Sequence, residues 1–247
     1  MKSLINYAGL TDRGRRRKFN EDNWYADLEL GLFIVSDGMG GHAGGELAST
    51  MVVEELPRLL RQRMADSTTL SDPNTIVSLV LALADLNERF HETTLKNDHL
   101  KGMGATIALA FIRESGTIVA HMGDSRAYLL RDKKLSQLTR DHSVVQKLLD
   151  AGKIRPEEIS KHPSRGQITR CMGMPGLPHP EVQTLSLLPG DRLLLCTDGL
   201  TRMLNEERIT DLISENPIPY TACRVMINDA NEAGGIDNIA VVLIDVH

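Results

Sequence analysis

Two apolar runs in this chain end in the same way. Phe33-Ile-Val-Ser-Asp37-Gly38 and Leu193-Leu-Leu-Cys-Thr-Asp198-Gly199 each pass from aliphatic residues to an acid and then a glycine. A short continuous apolar run is the pattern of a buried strand. An acid placed where such a strand leaves the core aims its carboxylate at whatever lies at the strand's end. Gly38, Gly40, Gly41, Gly44 and Gly45 let the backbone turn sharply and approach a ligand. His42, within that loop, can hold or give a proton near neutral pH. Asp-Gly by itself is a turn signal, so the functional reading depends on whether other acids end other strands.

Further such positions follow along the chain. Leu4 to Ala8 reads as a first strand, and Trp24 to Asp27, opened by Asp22, as half of a hairpin completed by Gly31 to Ser36. Between them lie five basic residues from Arg13 to Lys18, either a solvated segment or an anion site built on the planar fork of arginine. Helical spacing runs from Glu46 to Arg63. A loop over Ala65–Ser71 leads to Asp72-Pro73, which starts a helix reaching Lys96, apolar nearly all round from Ile76 to Leu86. Ala105–Ile112, Ile118–His121, Ala127–Leu130 and Leu135–Leu138 read as a meander, hence an antiparallel sheet. Glu114-Ser-Gly116 and Gly123-Asp124-Ser125 are among its turns. Short helices follow at Val144–Ala151 and Pro156–Ile159, and the stretch to about Pro180 is a candidate flap. Val182–Leu187 and Arg192–Thr197 read as a hairpin, followed by helices near 205–214 and 220–232 and a last strand, Ile239–Val246.

Asp22, Asp37, Asp198 and Asp237 thus stand at boundaries of apolar strands, and Asp124 is a fifth. Clustered carboxylates repel and raise one another's pKa, a cost that a cation removes. Carboxylate, carbonyl and water ligands suit Mg²⁺ or Mn²⁺. Zinc fits less well, because no His or Cys pairs stand at ligand spacing. Two hard ions about 3.5–4 Å apart would activate a water and clamp the oxygens of a phosphate. An arginine would hold that phosphate, and a histidine would protonate the leaving oxygen. These are the ingredients of metal-assisted phosphoester hydrolysis.

The ordered set of motifs resembles the metal-dependent serine/threonine protein phosphatases of the type 2C (PPM) family, in their compact bacterial form. The matching pieces are Thr11-Asp-x-Gly, Arg17-Lys-Phe-Asn-Glu-Asp22, Asp37-Gly-Met-Gly-Gly-His-Ala-Gly-Gly-Glu46, Gly102-Met-Gly-Ala-Thr106 and Gly123-Asp-Ser-Arg126. Thr139-Arg-Asp-His-Ser143, Ile168-Thr-Arg170, Thr197-Asp-Gly-Leu200 and Asp237-Asn238 complete them. The resemblance implies an α+β fold, a four-layer α-β-β-α sandwich with two central antiparallel sheets and a small flap at about 142–180. It implies that Asp37 bridges two metals and that the Gly38 carbonyl binds one, with Asp22, Asp198 and Asp237 completing the pair. Asp124 resembles the acid that, with Asp198, holds a third and weaker ion. Arg17 would bind the substrate phosphate and His42 would be the general acid. Arg16 stands where the family usually has an apolar residue, so the choice between Arg16 and Arg17 stays open.

Several expectations follow for the whole chain. With 247 residues and short loops, 1–247 reads as a single phosphatase domain with a sizeable core. A net charge of −5 argues against nucleic acid as a partner. No apolar run approaches the roughly 20 residues of a membrane helix, and the first residues lack a signal-peptide pattern. Three widely spaced cysteines, Cys171, Cys196 and Cys223, suit reduced thiols in a cytoplasm. The expected partner is a phosphorylated protein, opposing a Ser/Thr kinase, acted on by a monomer. Two rivals remain. A catalytically silent pseudophosphatase would use the same fold as an interaction module. A cysteine phosphatase would use Cys196-x₅-Arg202, although Asp198 inside that loop would repel phosphate.

Overall fold

The computed structural model describes residues 5–64, 73–113 and 115–247. Eleven strands and six α-helices are assigned among them. In chain order these are β1 (Ile5–Asp12), β2 (Asp22–Asp27), β3 (Leu32–Met39), α1 (His42–Arg63), α2 (Pro73–Lys96), β4 (Gly104–Ala105), β5 (Ile107–Arg113) and β6 (Gly116–Met122). Then come β7 (Arg126–Arg131), β8 (Lys134–Gln137), α3 (Val144–Asp150), β9 (Glu181–Leu185), β10 (Arg192–Cys196), α4 (Asp198–Thr201), α5 (Glu206–Glu215), α6 (Pro219–Glu232) and β11 (Ile239–Val246).

The apolar runs are continuous because their strands are covered on both faces. Side chains alternate sides along a strand. In β3, Phe33 and Val35 pack with Ala108, Val119, Leu193, Leu195 and Val242 between the two sheets. Leu32 and Ile34, on the other side, pack with Val52, Leu56 and Leu83 of α1 and α2. The second sheet does the same. Leu194, Val241 and Leu243 face Ile213, Cys223 and Met226 of α5 and α6. The result is an α-β-β-α sandwich with sheets ordered β2-β3-β5-β6-β9 and β1-β11-β10-β7-β8, every pair antiparallel, and β4 extending the end of β3.

Four local expectations change. The meander is two hairpins on different sheets: β5 pairs with β6, β7 pairs with β8, and Gly123–Ser125 carries the chain across the sandwich. The hairpin over 182–197 does not form either. β9 pairs with β6, whereas β10 lies between β7 and β11. β9 has an exposed, partly polar pattern that suits a sheet edge, whereas β10, apolar and buried from Leu193 to Cys196, lies inside its sheet. α2 is not buried all round, since Val77 and Leu81 are exposed. α1 starts at His42, four residues before Glu46, directly after the positive-φ residues Gly40 and Gly41. The loop over Ala65–Ser71, the cap Asp72 and the turn residue Glu114 lie outside the described residues.

Candidate metal centre

Strand register brings the first two acids together. Asp22 and Asp37 are direct partners across the β2–β3 ladder, where facing side chains lie about 4.5–5.5 Å apart at Cβ. Asp37 is held from behind by Thr106, whose Oγ1 accepts the Asp37 N–H at 2.9 Å and whose own N–H donates to the Asp37 carbonyl at 2.9 Å. Thr106 Oγ1 also lies 2.6 Å from Ser125 Oγ. The crossing turn at Gly123–Ser125 is thereby tied to the end of β3, with buried Asp124 between its ends. A Cβ on Gly123 would lie 2.5 Å from the Thr106 methyl, so glycine is required there.

The other sheet supplies the rest. Thr197 Oγ1 accepts the Ala240 N–H at 2.8 Å and donates to Asp22 Oδ2 at 2.6 Å, joining the end of β10 to the end of β2. Asp198 opens α4, and Arg202, four residues on, folds back to pair with it. Asp237 precedes β11 and accepts from Arg17 at 2.9 Å and Arg202 at 2.9 Å. The basic segment is pinned rather than loose. Asn238 Nδ2 donates to the carbonyls of Arg13 and Phe19 at 2.8 Å, and Arg15 and Arg16 donate backbone N–H to Gly235. A Cβ on Gly14, at φ 78°, would lie 2.1 Å from the Asp237 carbonyl.

All five acids gather at one end of the sandwich, and the cavity there is lined by Arg17, Glu21, Asp37, Gly38, Asp124, Asp198, Arg202 and Asp237, with Gly166 and Ile168 from the flap segment. Burial, then Asp22, Asp198, Asp124 and Asp237 in turn, hold the Asp37 carboxyl well above its usual range. Burial and Asp124 do the same to Asp198. Burial raises Asp22 to about 7 against the opposing Thr197 hydrogen bond, and burial together with Asp141 raises Asp124 to about 6. Asp124 Oδ1 and Asp198 Oδ1 are buried without a hydrogen-bond partner. Buried carboxylate oxygens left in this way are costly unless a cation meets them. The donor set is all oxygen, the chemistry of Mg²⁺ or Mn²⁺.

The sequence missed two lining residues, Glu21 and Arg202. Glu21 is adjacent to Asp22, and a Cβ on Gly45 would lie 2.7 Å from its carboxyl carbon. Arg16 is exposed and does not line the cavity, whereas Arg17 does. His42 begins α1, and its side chain lies outside what is described. Cys196 is buried, and burial pushes its thiol up to about 12, while Arg202 turns to the acids; neither behaves as a thiolate site would require.

A second cluster, His121, His142 and Glu181, has metal-ligand side chains within 4.8 Å of one another. Its rings stack at 4.5 Å with 19° between planes. His121 Nε2 pairs with the Arg140 carbonyl at 2.8 Å, His142 Nδ1 accepts the Gly123 N–H at 3.2 Å, and Arg170 stands 3.2 Å from His142 Nε2. These contacts fasten the start of the flap segment to the turn that holds Asp124.

The family model for protein phosphatase 2C matches residues 11–221. The serine/threonine phosphatase stp of Listeria monocytogenes is 36% identical over 239 residues, covering 95% of this chain and 93% of that protein. The crystal structure of the serine/threonine phosphatase PstP/Ppp of Mycobacterium tuberculosis superposes with a TM-score of 0.89 at 35% identity, covering 99% of each chain. The catalytic domain of PstP in complex with two manganese ions is similar, with a TM-score of 0.86, 34% identity and 98% of each chain covered.

Proposed function

This chain belongs to the protein phosphatase 2C family, and from that membership we propose how its residues share the work of a metal-dependent phosphoprotein phosphatase. The enzyme hydrolyses phosphoserine and phosphothreonine in proteins. The observation that carries the assignment of roles is the meeting of Asp37, Asp124, Asp198 and Asp237 around one cavity, with Asp22 facing Asp37 across the β2–β3 ladder.

Asp37 is the central acid, since the other four all act on its charge. Asp37, together with Asp22, Asp198, Asp237 and the Gly38 carbonyl, would hold a pair of Mn²⁺ or Mg²⁺ ions. Asp124, with Asp198, offers a place for a third. Bound there, such ions lower the pKa of a water and neutralise phosphate oxygens. Arg17 is 47% exposed at its side chain and is tethered to Asp237, so its fork is placed to turn onto a phosphate. His42, which opens α1 just after the glycine turn, would give a proton to the departing serine or threonine oxygen. Thr197 and Thr106 hold Asp22 and Asp37 in place. The segment from about 142 to 180 is a flap over the cavity, and the chain acts as one domain.

No helix among the described residues is long and apolar enough to cross a membrane. A cytoplasmic monomer opposing a Ser/Thr kinase is the setting that agrees with this and with the reduced, buried cysteines. Phosphate release from a phosphothreonine peptide, followed with Mn²⁺ and with excess chelator, tests the reading. Release only with metal supports it. Release that survives chelation returns the reaction to Cys196. Absence of release under every metal condition leaves an interaction module.

A further inference from the structure

We propose that Arg202 is a built-in counter-cation of the acid cluster, which a divalent ion must displace before it can take Asp198 and Asp237 together. The inference rests on the metal centre assigned above.

Helix α4 begins at Asp198, and one turn of helix puts residue i+4 above residue i. Arg202 therefore returns over the acid that opens its own helix. One end of its guanidinium pairs with Asp198, and Nη1 donates to Asp237 Oδ2 at 2.9 Å. Two acids that are 39 positions apart in sequence (237 − 198) are thus joined by one planar cation. Arg17 also reaches Asp237, but from the exposed side and without touching Asp198. Arg202 is the more enclosed of the two, at 23% side-chain exposure against 47%.

Occupied acids are not free acids. If the ligand pair is available only when Arg202 lets go, the apparent affinity for the ion falls by the fraction of time it is released. The guanidinium also lines the cavity beside Gly166 of the flap segment. A Cβ on Gly166, at φ 84°, would lie 2.7 Å from Arg202 Nη2. Any ion that takes the acids must therefore shift a side chain already packed beside that turn. Arg202 thereby sets the ion concentration at which the centre fills.

The test is calorimetric titration of Mn²⁺ into the metal-stripped full chain, with thermal melts of the same samples. Arg202→Met keeps the stem and removes the charge. It should bind Mn²⁺ about tenfold more tightly than wild type, a change equivalent to about 1.4 kcal/mol, because no guanidinium has to be displaced from the acids. Its melting temperature should be lower without metal and rise further when metal is added. Arg202→Lys keeps the charge on a single point and cannot fork both acids, so its affinity should lie between the two. Equal or weaker binding by Arg202→Met overturns the proposal while leaving the centre intact. An unchanged isotherm with a raised KM for a phosphopeptide overturns it too, and gives Arg202 to the substrate instead. A wild-type chain that takes up no Mn²⁺ overturns both the centre and this inference.

Discussion

Asp37 and Asp198 close matching strands in opposite sheets, yet their charges are met in opposite ways. After Asp37 the chain stays extended to Met39, turns on Gly40 and Gly41, and starts α1 at His42. After Asp198 it coils at once into α4. The residue four places beyond the acid is Gly41 in one case and Arg202 in the other. Asp37 consequently feels four other carboxylates, whereas Asp198, which feels three, also carries a guanidinium on one oxygen. The same short pattern yields one corner whose acid is paired with no cation among the described residues and one where Arg202 partly offsets the charge. Local backbone geometry after the acid, not the acid itself, makes the difference.

Substitutions can break or sharpen that contrast. The largest effect should come from Asp37→Asn, which should reduce Mn²⁺-dependent phosphate release to background, while Asp198→Asn retains a measurable remainder. Equal losses in a phosphopeptide assay would erase the distinction between the corners. Next, His42→Ala should slow turnover of alkyl phosphates by roughly 10²–10⁴-fold and of activated aryl phosphates much less. Equal loss on both substrates would remove His42 as the proton donor.

Thr197→Val deletes the 2.6 Å donor to Asp22 and should weaken Mn²⁺ binding by about 10–100-fold. An unaltered isotherm would mean that Asp22 needs no support from the opposite sheet. The smallest effect is a pH trend. Asp22 is raised to about 7 and Asp124 to about 6 from an ordinary 3.8, so folding makes both bind protons more tightly. The metal-stripped fold should therefore be steadied by acid and lose that stabilisation as pH rises from about 4 through about 7. Mn²⁺ should reverse the slope, because it needs the ionised acids and releases their protons. Melting temperatures across that range, with and without Mn²⁺, give the sign directly.

Much of this was legible in the residues. Runs such as Leu32–Val35 and Leu193–Cys196 announce strands covered on both sides, and their terminal acids announce the site. Sheet membership was not legible. β9 and β10 are separated by a turn-rich segment, and so are β6 and β7, which favours a hairpin on spacing alone. What separates them is tertiary: the crossing turn at Gly123–Ser125 is fixed by Thr106, and Asp191 is bound by Arg131 at 2.7 Å. Arg202 escaped notice as a lining residue because its proximity to Asp198 exists only once α4 has formed. The arginine run from Arg13 looked loose for the same reason, since the Asn238 side chain that pins it comes more than two hundred positions later.

The position of β11 has a consequence for the timing of synthesis. It is the last strand in the order of the chain, yet it sits inside its sheet between β1 and β10, and Asp237 stands just ahead of it. A polypeptide still emerging from the ribosome already carries Asp22, Asp37, Asp124 and Asp198, but β1 has no neighbour in its sheet and the basic loop has no Asn238 to hold it. Closing the acid cluster with Asp237 thus waits for β11 to slot in between β1 and β10.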